Sequence, residues 1–592
     1  WSCFSDCHRD RARLSRCHSW MVAPLPLTVL VGPTAAAFLS AVTLVRYAEK
    51  GVNPLAFFGA VLGFTLSLSI VTLIPYDVWQ SLSLEGEPTF MHAGWDAIYW
   101  STSLLCWFLC PVLIEFEAAG DFTAQGRLRR ALRRNVVWYV SYISIGIVAL
   151  LAILVFGVVQ GSLGAWLIAA SNAWGLLMLT VLMGFGLVAV PRHLWRLASP
   201  EIQLASTYRL AVASDEARLS AQFELQDVMM QVRGEITTHD AVLHDDRYAQ
   251  AFAALQATLE KCEVLQARLS GRRSGQRDLA ARHRLVDPHS GLGRSPLVDQ
   301  SALLAHLSQQ HCTLKTAVLE ARRTSFRWTD LVQRCMYFED LHREQYEVAA
   351  HAILQEWSCL RRHHSNLHSC FRSVLSSILV FWMRYLRARL YRTYGFCCAV
   401  LSFVIVLGQL TMFSQRSLSL LALLFRSQHG FMFTQVFCMV PLGYMVLTAF
   451  WSILRLRIAG WYGLYPGQNT DAGSLLWVAT ITARLATPLC YHFLLLVRVE
   501  GTSFQALMGQ MNVVPVVGDS FNQIFPCIIG FLCITNYFNL YSRLLQCLAL
   551  GSLEFEWGVN VVDDEDPTGD GKRLVERERR KRDEQNMPDL AE

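Results

Sequence analysis

The chain has 592 residues, of which 53% are hydrophobic and 17% are charged, and its mean hydropathy is +0.30. Soluble proteins carry about a quarter charged residues, so this composition argues against a soluble protein and predicts a membrane protein. The formal net charge of +5 is modest and indicates nothing by itself, and its distribution along the chain is more informative. We expect no nucleic-acid partner.

The first twenty residues differ from the rest of the chain, because 1–20 is polar and cysteine-rich whereas Met21 opens an apolar run. We predict that 1–20 is a non-native or disordered extension and that translation starts at Met21. A short metal-binding or redox arm is the alternative, and its ligands would be Cys3, Cys7, Cys17, His8 and His18.

Nine apolar runs follow that are long enough to cross a bilayer, which needs roughly 20 residues of helix. Lipid offers no hydrogen-bond partners to the backbone, so these runs are predicted to be helices, and the fold class is all-α and polytopic. The nine predicted spans are 22–45, 54–74, 96–114, 137–159, 164–190, 394–413, 431–454, 474–497 and 521–544.

The arginine clusters orient these spans, because lysine and arginine favour the cytosolic side. They all fall on one side if the N-terminus is outside or lumenal and the C-terminus is cytosolic. The loop after the third run is the densest cluster, and we interpret it as an anchor on the inner leaflet, with a specific phosphoinositide site as the alternative. Its arginines are Arg127, Arg129, Arg130, Arg133 and Arg134.

The long polar insert between the fifth and sixth runs is predicted to be helical, with a flexible loop at about 271–300 that is rich in Gly, Ser and Pro. Apolar residues on both sides of the loop recur at coiled-coil spacing. The two halves either fold back as an antiparallel pair or dimerise through the same faces. The apolar residues are Phe252, Leu255, Leu259, Cys262 and Leu269 before the loop, and Leu303, Leu307, Leu314, Leu331, Cys335, Phe338, Tyr346, Ile353 and Trp357 after it.

These patterns divide the chain into five segments. After the extension at 1–20 come a five-helix membrane half at 21–190, the cytosolic insert at 191–393, a four-helix membrane half at 394–545 and a charged tail at 546–592. The tail has an acidic run and then a basic run, and we predict that it is disordered and solvated. Contact of the basic run with anionic lipid is the alternative.

Polar side chains within the spans are the candidate site residues, because such residues need a partner or water. Arg484 is the strongest candidate. We expect either an ion pair that locks two helices or a contact with substrate or a lipid headgroup. The candidate partners of Arg484 are Glu115, Glu117, Asp77 and Asp519, and the other intramembrane candidates are Tyr491, Asn536 and Asn539.

No catalytic motif occurs: the chain lacks GxxxxGK, GxSxG, HExxH and CxxC. We therefore expect that it is not an enzyme and that it has no cofactor. His363, His364 and His368 lie close together, but no cysteine or carboxylate at ligand spacing completes a metal site. We interpret them as an interfacial cluster and expect no metal.

Several stretches resemble the LMBR family, the limb-region and lipocalin-receptor-like membrane proteins, and are most similar to its LMBR domain-containing protein two branch. The resemblance implies nine spans, an external N-terminus and a long cytosolic loop. It spans about 22–550. The stretches are LIPYDVW (73–79), YWSTSLLCWFLCPVLIEFEAAGDFT (99–123), FRWTDLVQRCMYFEDL (326–341), YGLYPGQNTDAGSLL (462–476), ARLATPLCYHFL (483–494) and FQALMGQMNVVPVVGDSFNQIFPCIIGFLCITNYFNLYSRLL (504–545).

Two functions are consistent with these features. The first is a receptor or a signalling or trafficking adaptor of the plasma membrane or an endomembrane, which binds cytosolic proteins through the coiled coil. The second is a transporter or a protein that handles lipid, a lipocalin-type ligand or another hydrophobic ligand. A continuous cavity that reaches Arg484 would favour the second, and a sealed bundle would favour the first.

Overall fold

The computed structural model describes residues 25–82, 89–155, 163–238, 246–269, 300–360, 369–411, 419–424, 430–455, 463–508, 519–538, 540 and 568–586. Within these residues the chain is helical and contains no strand, as the long apolar runs predict. The chain divides into a membrane unit (1–111, 141–191 and 396–559) and a second unit (112–140, 192–395 and 560–592). We call the second the insert unit.

The first half of the chain forms these helices: α1 Leu25–Tyr47, α2 Pro54–Leu82, α3 Thr89–Leu104, α4 Cys110–Ala118, α5 Ala124–Val155, α6 Leu163–Leu197, α7 Pro200–Thr238 and α8 Asp246–Leu269. A π-helical turn, Leu105–Leu109, joins α3 to α4. The second half forms α9 Gln300–His342, α10 Tyr346–Leu360, α11 Ser369–Phe381, α12 Arg387–Leu410, α13 Leu420–Leu424, α14 Phe431–Arg455, α15 Ala472–Val497, α16 Ser503–Met508, α17 Asp519–Tyr537 and α18 Thr568–Asn586. A second π-helical turn, Trp382–Leu386, joins α11 to α12.

Six of the nine predicted spans are helices long and apolar enough to cross a membrane. The other three predicted runs also contain helices, α1, α5 and α17, and their crossing of a membrane stays a prediction. One boundary differs from the sequence-based interpretation, because the basic loop and the fourth run form the single helix α5. The six are Pro54–Leu82, Met91–Ala118, Trp174–Leu197, Ser373–Leu410, Phe431–Arg455 and Ala472–Val497.

Helix α15 lies at the centre of the membrane unit, since 89% of its apolar window is buried within the protein. It packs against α2, where small residues recur every three or four positions: Ala56, Ala60, Gly63 and Ser67. A Cβ atom on Gly63 would lie 3.2 Å from the Cβ of Ala479. Small residues let two membrane helices approach closely, and this sequence pattern explains why α2 packs tightly against α15.

The loop before α15 holds the start of that helix in place. Thr470 donates its backbone N–H to Tyr47 at the end of α1, 3.0 Å away. Asp471 then caps α15, because its carboxylate accepts a hydrogen bond from the backbone N–H of Ser474 at 3.0 Å. Gly467 has φ of +72°, a conformation that glycine adopts without strain. These contacts give the stretch YPGQNTD a structural role as an N-terminal cap.

The core of the insert unit is formed by α7, α8 and α9. Helices α7 and α9 run antiparallel, because Tyr208 contacts Glu339 at one end and Glu235 contacts His306 at the other. Coiled-coil packing and dimerisation stay predictions. Residues on both sides of the predicted loop share one core cluster, and the members that the sequence predicted are Phe252, Leu255, Leu259, Cys262, Leu303, Leu307 and Leu314.

The tail differs from the sequence-based prediction of disorder, because residues 568–586 form the helix α18. Val575 is fully buried in a cluster with Tyr208, Trp328 and Cys335. The prediction was wrong over this segment because one apolar stripe, in an otherwise charged sequence, packs against α7 and α9.

Candidate functional site

Arg484 lies near the middle of α15, and its guanidinium is held by a carbonyl and two indole rings. It donates a hydrogen bond to the backbone carbonyl of Cys106 at 2.6 Å. Its Cζ atom lies 4.3 Å from the centre of the Trp107 ring and 5.5 Å from that of Trp174. Tryptophan is the strongest aromatic partner for a cation, so these contacts stabilise a charge within the spans.

The π-helical turn explains why Cys106 and Trp107 contact Arg484. Such a turn inserts one residue into a helix and shifts the local hydrogen bonds from i→i+4 to i→i+5. Here the backbone N–H of Cys110 donates to Leu105. The Cys106 carbonyl accepts from Arg484, and the Cys106 thiol donates to Thr480 at 3.6 Å. The turn thus brings backbone, thiol and indole groups to one segment of α15.

Pro488 lies one turn after Arg484 in α15. Proline has no backbone N–H, so the carbonyl of Arg484, four residues earlier, lacks its usual helical donor. Gly175 of α6 approaches this point closely, since a Cβ atom there would lie 2.8 Å from Pro488 Cγ and 3.5 Å from the Arg484 oxygen. We call Cys106, Trp107, Trp174 and Arg484 the arginine cluster. Arg484 is partly exposed, although Ala483 and Leu485 beside it are fully buried.

The other intramembrane candidates have separate positions. Asp77 is buried and accepts the backbone N–H groups of Ser503 and Phe504, so it caps α16. Asn536 donates to the Phe185 carbonyl at 3.1 Å, an interhelical bond of the kind that the sequence predicts. Tyr491 is buried within α15. Asn539 lies outside the described residues, and Asp519 is the first residue of α17.

Glu115 and Glu117 lie at the C-terminal end of α4, where the helix dipole disfavours acids. Glu115 forms a salt bridge with Arg134, whose Nη1 lies 2.9 Å from its Oε2. Lys315 of α9 donates to the carbonyls of Glu117 and Ala119, at 2.9 Å and 3.1 Å. A cation from a distant helix therefore caps α4. Lys315 and Arg134 together offset the acidic residues at this helix end, which the local sequence pattern does not explain.

Three of the five predicted anchor arginines contact protein groups. Arg130 pairs with Asp121 at 2.6 Å, Arg134 binds Glu115, and Arg127 lies over the Phe116 ring. The remaining two, Arg129 and Arg133, are exposed. Contact with anionic lipid stays a prediction, and it applies best to these two exposed arginines.

The loop after α4 docks onto α9. A Cβ atom on Gly120 would lie 2.2 Å from the Ser308 carbonyl oxygen, so the site requires glycine. The Nδ1 atom of His311 lies 2.7 Å from the Gly120 carbonyl, and its ring stacks on Phe122. Burial lowers the pKa of His311, and burial together with Arg127 lowers the pKa of Lys315. Desolvation disfavours the charged form of each group.

Among the described residues, no group of three or more histidine, cysteine or acidic side chains could hold a metal ion. The predicted interfacial cluster of His363, His364 and His368 lies outside those residues, as does the extension at 1–20.

A comparison with known protein families identifies the family of this chain. The family model described as LMBR1-like membrane protein matches residues 27–541. The chain belongs to this family. It is therefore an LMBR1-like membrane protein, as the resemblance of the quoted stretches predicts.

Several relatives of this LMBR1-like chain are LMBR1 domain-containing protein 2 homologues. It is 26% identical to LMBR1 domain-containing protein 2 homolog A of Dictyostelium discoideum, over 84% of this chain and 64% of that protein. It is 28% identical to a Drosophila melanogaster homolog, over 93% of this chain and 83% of the relative. A human relative, 25% identical over 84% of this chain and 70% of that protein, is named G-protein coupled receptor-associated protein LMBRD2. No solved structure matches the chain.

The match thus spans just under two thirds of the Dictyostelium protein. Sequence reasoning identified Arg484 but missed its partners, Trp107 and Trp174, because a π-helical turn leaves no signal in hydropathy. It also missed Lys315 as the cap of α4, since 198 residues separate Lys315 from Glu117.

Proposed function

We propose that this chain is a receptor-associated membrane adaptor whose insert unit lies in the cytosol and binds protein partners, and that it is not an enzyme. The name of the human relative, G-protein coupled receptor-associated protein, supports this proposal most directly. The arginine distribution supports a cytosolic C-terminus and an external or lumenal N-terminus, in the plasma membrane or an endomembrane.

The surface of α7 supports partner binding by the insert unit. Leu219, Phe223 and Met230 lie within about 40° of each other around the helix, given 100° per residue, and their side chains are exposed by 40%, 65% and 54%. Large apolar side chains that share one exposed face mark protein interaction surfaces more often than isolated ones do. Homodimerisation through this face is an outcome that the experiment below separates from partner binding.

The experiment measures association with G-protein-coupled receptors expressed with the tagged full-length chain. We expect Leu219→Glu/Phe223→Glu to reduce receptor co-purification several-fold without changing the chain's elution volume. Ile202→Glu is the matched control, because Ile202 is 50% exposed and lies about 25 Å along α7 from Leu219. Receptor capture that is no greater than for an unrelated multi-pass protein would refute the adaptor proposal. A change in elution volume would instead indicate a homodimer.

A second candidate function is the handling of lipid or another hydrophobic ligand, and the arginine cluster favours it. Arg484 is partly exposed between two tryptophans, an arrangement that suits a phosphate headgroup whose acyl chains lie along the spans. Native mass spectrometry of the purified protein should then retain an anionic lipid that Arg484→Lys releases. Equal lipid retention by both proteins would refute this candidate.

A further inference from the structure

The tail helix α18 fills an acidic groove between α7 and α9. Arg579 lies 2.6 Å from a carboxylate oxygen of Glu339 and 3.4 Å from one of Asp340, and Arg577 lies 3.5 Å from one of Asp215. All three acids are only 5% exposed. Two adjacent helices thus place three buried carboxylates opposite the arginines of one short helix.

The floor of the groove is apolar and fits a narrow helix. Val575 packs among Tyr208, Ala211 and Trp328. At Gly571, a Cβ atom would lie 1.9 Å from the backbone oxygen of Tyr208, so α18 approaches α7 more closely than any other residue type would allow. The groove therefore accepts a helix with one small and two apolar contact residues, followed by arginine.

The buried face of α18 follows from its sequence. Positions that are three and four residues apart lie on one side of a helix. The least exposed residues of α18 have this spacing, and the exposed Arg577 beside them still reaches Asp215. The contact face consists of Gly571, Leu574, Val575, Glu578 and Arg579.

We expect the contact to hold α18 weakly for its size. Leu574 and Val575 supply the apolar contact, while the rest is ionic. Desolvation of buried charges offsets much of their attraction. Burial raises the pKa of Asp340 although Arg579 opposes this shift, so desolvation exceeds pairing at that carboxylate. A helix held in this way stays docked mainly because it is part of the same chain, and covalent linkage raises its effective concentration.

We propose that the acidic groove is an exchangeable binding site for a basic amphipathic helix of a partner protein, and that α18 occupies it as an internal competitor. This inference rests on the proposed adaptor function and names the partner's chemistry. Docked α18 blocks the groove, and displacement of α18 opens it. A permanent clamp, in which α18 only completes the core of the insert unit, is the alternative that the experiment decides.

The experiment uses the full-length chain and a chain that ends before residue 568, both in neutral phosphatidylcholine nanodiscs so that lipid charge does not bind the probes. The first probe is a fluorescent peptide of residues 568–586. The second is an Ala/Lys helix that carries only the contact residues of α18. The control peptide carries Arg577→Glu and Arg579→Glu. We expect both probes to bind the shortened chain at least tenfold more tightly than the full chain, and the control peptide to bind at least tenfold more weakly than the first probe.

Two variants guard against misfolding of the shortened chain. Val575→Asp in the full chain expels α18 without altering the groove, so it should bind the probes as the shortened chain does. Glu339→Arg should lose the first probe and recover binding to a peptide that carries Arg579→Glu. Failure of the probes to bind a Val575→Asp chain that elutes as a single species would overturn the proposal.

Receptor co-purification separates this inference from the adaptor proposal. We expect Val575→Asp to increase capture several-fold. Capture that is unchanged by Val575→Asp would overturn the exchange proposal and leave the adaptor function standing. Probe binding without any receptor capture would refute the adaptor function alone, since the groove would still bind basic helices.

Discussion

Replacement of Arg484 by leucine tests whether the arginine cluster stabilises the membrane unit. The variant loses two cation–π contacts, worth about 0.5–2 kcal/mol each, and one hydrogen bond, worth about 0.6 kcal/mol on average within a membrane. The sum is about 1.6–4.6 kcal/mol, which corresponds to a roughly 14- to 1,900-fold lower ratio of folded to unfolded protein.

Expression level is the wrong assay for this change. Leucine enters a bilayer more readily than arginine by about 3 kcal/mol, so better insertion would mask poorer folding. We would therefore purify both proteins and measure the temperature at which half the monodisperse peak is lost in size-exclusion chromatography. Arg484→Leu should lower this midpoint clearly, and Arg484→Lys should lower it less, because lysine keeps the charge but not the planar guanidinium. A parental midpoint for Arg484→Leu would refute the structural role and favour a ligand contact.

Three further predictions concern the insert unit. Gly120→Ala should lower the free energy of unfolding by about 1–3 kcal/mol in denaturant titrations, because the new Cβ atom meets backbone that cannot move away. Gly234 has open space around it, so Gly234→Ala should raise the free energy of unfolding by about 0.5–1 kcal/mol. Burial lowers the pKa of His311 in the folded protein, so the unfolded state binds a proton first as pH falls through about 6.5. Stability should therefore drop towards pH 5. The variant His311→Asn should flatten that part of the profile of melting midpoint against pH. Arg129→Gln/Arg133→Gln should weaken retention of phosphatidylserine by about 2 kcal/mol in native mass spectrometry, while an unchanged lipid count would refute the anchor role.

Hydropathy was sufficient to predict six helices that are long and apolar enough to cross a membrane, and the all-α class, because both depend on the composition and length of an apolar run. The repeat of small residues that includes Gly63 and Ser67 explains the close packing of α2 on α15, and the structure was needed to identify it. The sequence also identified Arg484, because it is a charged residue within an apolar run.

Long-range partners were not predictable in the same way. Lys315 and Glu117 meet because two distant helices pack together, and neither residue has a local signature of that contact. The docking of α18 had a weak signal, namely Gly571, Leu574 and Val575 on one helical face. The surrounding charged residues obscured this signal. Composition averages over all faces of a helix, whereas α18 contacts α7 and α9 through a single face.

The position of α18 along the chain has a consequence for biosynthesis. Glu339 and Asp340 leave the ribosome well before Arg579, and at 5–20 residues per second the delay is roughly 10–50 s. During that interval the nascent insert unit presents uncovered carboxylates while the later spans are still being inserted. Under the exchange proposal, every newly made copy passes through an open state in which a basic segment of a co-translated partner can bind the groove before α18 arrives.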